Sequence, residues 1–134
     1  MDAIQALLGF TAWTLLLVMT VFAYRGLRFL RGTPINHWPR ANKPGDDAPL
    51  VRRIEDAHAN CMENLPVFAV LVLAAAVTGR AAAIDALAPW VLYARLGQSA
   101  AHLWGVGPLQ VGVRAGCWAV QLVLLVWMLL RLAA

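Results

Sequence analysis

Charge is scarce in this chain. Only 13% of its 134 residues are charged, where a soluble domain of this length carries about 25%. Hydrophobic residues make up 61%, against the usual range of about 45–50%. The mean hydropathy is +0.66. This composition excludes disorder and argues against a water-soluble globule. Cysteine is scarce as well: Cys61 and Cys117 lie in apolar stretches and make no disulfide framework. They read as small buried hydrophobes. No glycine-rich phosphate loop and no Ser–His–Asp set is present, and the scattered histidines have no metal-ligand spacing. Phosphate-loop, triad and metal chemistry are thereby set aside.

What is there is a series of long apolar runs. The first covers about 3–24, contains Leu-Leu-Leu-Val-Met at 15–19 and holds no charge. A cleaved signal peptide needs a basic n-region before the apolar run. Here the early charge is Asp2 and the basic residues follow, so this run is a retained span. Further spans are expected at about 57–79, 85–104 and 114–132. In lipid the backbone must satisfy itself, which selects helices, and strand alternation is absent. The expected fold is an all-α integral membrane protein. A single domain, 1–134, forms an antiparallel four-helix transmembrane bundle, its neighbours joined by short turns at 79–85 and 105–113.

The connection at 25–56 differs from the others. Residues 32–50 hold four prolines together with Gly32, Gly45, Asn36, Asn42, Asp46 and Asp47, which is loop chemistry. Seven of the eleven basic residues lie here: Arg25, Arg28, Arg31, Arg40, Lys43, Arg52 and Arg53. Positive residues beside spans stay on the cytoplasmic side, so this loop is expected to be cytoplasmic and both termini opposite. The net charge of +4 is thus a topology signal. No nucleic-acid partner is expected, and the loop is suited to meet anionic membrane lipid.

Polar groups at membrane depth are costly and mark function. Arg53, Asp56, Asn60, Glu63 and Asn64 share one third of the second helix's wheel, at about 100° per residue. Arg95, Gln98, Ser99 and His102 follow i, i+3, i+4, i+7 on the third helix. Arg114, Trp118 and Gln121 do the same on the fourth. At about 1.5 Å per residue, Glu63 and Gln98 sit at similar depth and Arg95 roughly one turn deeper. A bundle would gather Asn60, Glu63, Arg95, Gln98, His102 and Arg114 in its cytoplasmic half. A lone arginine at mid-membrane costs about 2.5–3.5 kcal/mol, so Arg95 needs a partner, and Glu63 is the acidic candidate at that depth.

The core Ala57-His58-x-Asn60-x-x-Glu63, followed by Pro66 and Phe68, resembles the MAPEG family, the membrane-associated proteins in eicosanoid and glutathione metabolism. Chain length, four spans, a long first loop and a polar third helix fit over essentially the whole chain. The wording Asn-Leu-Pro-Val-Phe is most similar to bacterial members, which implies a bacterial inner membrane. The resemblance implies a homotrimer that binds glutathione as cosubstrate, without metal, between subunits in the cytoplasmic half. Asn60 and Glu63 match residues that hold glutathione. Arg95, Gln98 and His102 match the polar positions of the third helix, and Arg114 matches the arginine that stabilises the glutathione thiolate. Trp118 stands where the family has a fourth-helix tyrosine, and Arg28 or Arg31 would serve as the first-helix arginine. The implied activity is glutathione-dependent transfer to, or reduction of, a lipophilic small-molecule electrophile or hydroperoxide.

The chain departs from the family at four positions. Ala59 replaces an arginine of some catalytic members, His102 and Trp118 replace tyrosines, and Ala115 follows Arg114 where prostaglandin synthases have serine. These departures keep a second possibility open, a non-catalytic lipid- or partner-binding protein of the same family. A small proton-coupled exporter with Glu63 as its proton site is a third. Such exporters carry that glutamate in the first span and have short loops, and this chain has neither.

Overall fold

A computed structural model describes residues 1–39 and 44–134. Arg40, Asn42 and Lys43 lie outside the described residues. The described residues form four α-helices: α1 (Ala3–Leu30), α2 (Pro49–Val77), α3 (Ala88–Trp104) and α4 (Pro108–Ala133). Short 3-10 turns occur at Ile35–His37 and Ala81–Ala83, and no strand occurs among the described residues. α1, α2 and α4 are long and apolar enough to cross a membrane. α3, with 17 residues, spans roughly 26 Å of an apolar layer about 30 Å thick.

The helices start and stop at chemically defined places. α1 opens on an Asp2 capping box with Gln5. The Ala3 N–H also donates to Asp85 in the α2–α3 connection (2.9 Å). Pro49 and Pro108 sit at the starts of α2 and α4, where the missing N–H costs nothing. Pro89 belongs to the first turn of α3 for the same reason, so that helix begins at Ala88, three residues later than the expected span. At the same end of the bundle Arg80 donates to the carbonyls of Leu132 (2.7 Å) and Arg131 (3.3 Å), closing the C-terminus of α4.

The largest difference from the expected boundaries is the first loop. It spans 31–48 instead of 25–56, because both flanking helices run further. Arginine is a good helix former, and Arg25 and Arg28 remain on α1 with carboxylate partners across the gap. Arg25 pairs with Glu55. Arg28 grips Asp46 (2.6 Å) and Asp47 (2.7 Å), and the Trp38 indole N–H also donates to Asp47. The Tyr24 hydroxyl accepts from the Ala48 N–H (3.1 Å), just before α2 begins. These contacts hold the end of α1 against the start of α2.

The core lies between α1, α2 and α3, with Phe10 and Phe68 stacked at 5.9 Å and fully buried. Gly9 lets α3 approach α1: a Cβ there would come within 2.9 Å of the Leu92 side chain. α4 packs mainly on α3 and leaves most of its apolar surface exposed, as expected of a lipid-facing helix.

Candidate functional site

The middle of α2, the end of α3 and the first turns of α4 come together on one side of the bundle. There a groove of about 360 Å³ opens between the three helices. α2 contributes Asn60 and Glu63, and α3 contributes Gln98 and His102. α4 supplies Val111, Arg114, Ala115 and Trp118. Six of the nine site residues expected from sequence thus line one wall-to-wall hollow.

Their side chains form a continuous chain of contacts. Arg114 Nη1 lies 3.1 Å from His102 Nδ1. A guanidinium can only donate, so Nδ1 accepts. The ring's Nε2 lies 3.1 Å from Asn60 Nδ2. Asn60 contacts Gln98 at 3.5 Å and Gln98 accepts from Gln121 at 2.9 Å. Gln121 in turn accepts from Asn64 at 3.3 Å. Asn60 is also held to its own helix through the Asp56 carbonyl (2.9 Å). Such a network fixes the rotamers of the groove floor. Gln121 and Asn64 are thus structural members of the site that the expected residue set omits. Their signal was already in the stripes, where Gln121 is i+7 from Arg114 and Asn64 follows Glu63.

Arg114 is half-buried and makes no ion pair among the described residues. Its neighbour is a neutral imidazole, so its charge is not cancelled. Glu63 is exposed, lines the same groove and equally lacks an ion pair among the described residues. One cation and one carboxylate therefore face a hollow lined by amides. Trp118 is 39% exposed and forms its apolar side with Val111 and Ala115.

Three expected residues are placed elsewhere. Arg95 is 0% exposed and sits over the Phe10 ring at 5.2 Å. All three of its guanidinium nitrogens lack a hydrogen-bond partner. The expected pairing with Glu63 does not form. The reason is angular. At about 100° per residue the polar face of α3 is wide enough to have two flanks. Gln98 and His102 turn towards α2 and α4. Arg95 and Ser99 turn towards α1, where Trp13 donates to the Ser99 hydroxyl (3.0 Å). Arg28 is occupied by Asp46 and Asp47, and Arg31 is exposed at the end of α1. Neither lines the groove of its own chain.

Two further hollows flank the groove. An apolar one of about 490 Å³ continues between α2 and α4, from Asn64 and Pro66 to Leu129. A polar one of about 400 Å³ lies at the head of α2, lined by Pro49, Arg52, Arg53, Asp56 and Val106.

The family model described as the MAPEG family matches residues 4–134, essentially the whole chain. Neither the curated proteins nor the solved structures give a match.

Proposed function

The chain belongs to the MAPEG family, and on that premise we propose that it is a glutathione-dependent membrane transferase or peroxidase acting on lipophilic electrophiles or hydroperoxides. The observation that carries this is the groove, which Glu63 and the uncancelled Arg114 line together with the amides of Asn60 and Gln98. Its volume lies within the about 300–1,000 Å³ of small-molecule sites. The donor set fits a zwitterionic thiol peptide: a carboxylate for its amine, amides for its peptide groups and a guanidinium for its sulfur.

Bound glutathione would supply a thiol that is nucleophilic as its thiolate. Arg114 presents a fixed positive charge to that sulfur and favours the ionised form. His102 holds Arg114 without neutralising it. Glu63 accepts from the ammonium group, and Asn60 and Gln98 orient the peptide groups. The apolar hollow between α2 and α4 offers a route by which a lipophilic partner arrives from the bilayer. In this reading the working form is a homotrimer, and a neighbouring copy brings the basic end of α1, with Arg28 or Arg31, to the groove. The first loop and the groove face the cytoplasm of a bacterial inner membrane, following the positive-inside rule.

A specific observation favours a second reading. Val111, Ala115 and Trp118 give the α4 wall no hydroxyl. A groove without that group suits a non-catalytic member that holds a lipid or partner. Native mass spectrometry of gently solubilised protein, with calorimetry against glutathione, separates the two. Three subunits, glutathione heat and turnover of a chlorodinitrobenzene-type electrophile are expected. A folded assembly with no glutathione heat and no turnover supports the second reading instead.

A further inference from the structure

Arg52 and Arg53 belong to no contact described so far. Neither side chain has a hydrogen bond or ion pair with a described residue, and Arg53 Nε is buried without a partner. Both line the hollow at the head of α2, facing Val106 of the α3–α4 connection. Two guanidinium groups against the single carboxylate of Asp56 leave that hollow net positive. Ala48 provides no side-chain cap for α2, so the helix's own positive end adds to the field.

The position of this hollow is informative. Arg53, Asp56, Asn60 and Glu63 share one face of α2, spaced i, i+3, i+7, i+10. Asp56 lines the polar hollow and Asn60 the groove, and the two are joined by the 2.9 Å bond from the Asn60 amide to the Asp56 carbonyl. The two hollows are therefore consecutive along α2. Arg53 lies roughly 15 Å from Glu63 along the helix axis and about 10 Å from Asn60. Three extended residues span up to about 11 Å. A γ-glutamyl linkage adds to this, and a long arginine side chain closes the remainder.

We propose that Arg53, assisted by Arg52, binds the C-terminal carboxylate of the thiol tripeptide, whose amine is held at Glu63. This rests on the glutathione reading above and deepens it. It assigns a carboxylate anchor in a chain that has Ala59 where some relatives carry an arginine. The tripeptide then lies along α2 with its central thiol beside Arg114.

Calorimetry on the full-length solubilised protein with glutathione and with γ-glutamylcysteine tests this. The dipeptide lacks glycine, so its carboxylate falls one residue short of Arg53. Hydrogen bonds to charged groups predict that wild type binds glutathione about tenfold or more tighter than the dipeptide. Arg53→Gln should remove that advantage and leave dipeptide affinity unchanged, which also reports an intact site. Arg53→Lys should restore part of it. Equal glutathione affinity in wild type and Arg53→Gln overturns the anchor alone, as does an equal loss for both thiols. Failure of wild type to bind either thiol overturns the glutathione reading and the anchor with it.

Discussion

Removing the charge of Arg114 is the sharpest perturbation of the site. A unit charge about 4 Å from a thiolate is worth about 4 kcal/mol at an effective dielectric of about 20. Arg114 is half-buried, so solvent screens part of this, and about 2 kcal/mol is a fair share. At 1.36 kcal/mol per pKa unit, that moves a free cysteine thiol from about 8.5 to about 7. At neutral pH about half of the bound thiol is then ionised, against about 3% in Arg114→Gln. The assay is difference absorbance at about 240 nm, where the thiolate absorbs, over a pH titration with saturating glutathione. The amplitude at neutral pH should fall by about fifteenfold in Arg114→Gln and return largely in Arg114→Lys. Calorimetry run in parallel separates lost ionisation from lost binding. A titration curve that Arg114→Gln leaves in place, with binding retained, would refute the role of this arginine.

Two further predictions concern parts of the chain outside the groove. Asp46 is held down from 3.8 to about 2 by its hydrogen bonds to Arg28 and then His37. A depressed carboxylate stabilises the fold above its ordinary value, and the contribution is lost as pH falls through the lowered one. The loop clamp should therefore open near pH 2 in wild type and at a higher pH in Arg28→Gln, where His37 still holds Asp46 down. Trp38 emission, taken as the difference from Trp38→Phe, follows it, and a midpoint unmoved by Arg28→Gln would exclude this clamp. Arg95→Met should be neutral or raise the melting temperature, because an unpartnered buried guanidinium gives way to an apolar chain of similar volume. A loss of about 3 kcal/mol or more would mean that Arg95 has an anionic partner in the assembled protein.

Much of this was legible from spacing alone. The stripes on α2, α3 and α4 are read from a 3.6 period, and rise per residue puts Asn60, Glu63, Gln98, His102 and Arg114 at one level. Periodicity names a face but not the neighbour that the face meets. Spacing therefore groups Arg95 with Gln98, although Arg95 turns to Phe10 and α1. Helix ends were less legible for a different reason. Hydropathy stops counting at Arg25, but the backbone does not, since Glu55, Asp46 and Asp47 accept the arginines that follow. Those pairs join residues 18 to 30 apart, and no local window contains them.

The polar burden of α3 has a consequence for how the protein is made. Arg95, Gln98, Ser99 and His102 are all buried by neighbouring helices. Leaving the insertion machinery alone, α3 would meet lipid with these groups bare. α1 and α2 each contain a stretch long and apolar enough to cross a membrane, and their connection closes on itself through Arg28, Asp46 and Asp47. The N-terminal hairpin can thus settle in the bilayer while the rest is still being synthesised. α3 must wait for α4, joined to it by the short Gly105–Gly107 link, and partition as a pair. A chain truncated after Trp104 should be held back or degraded during biogenesis, whereas one truncated after Val77 should integrate.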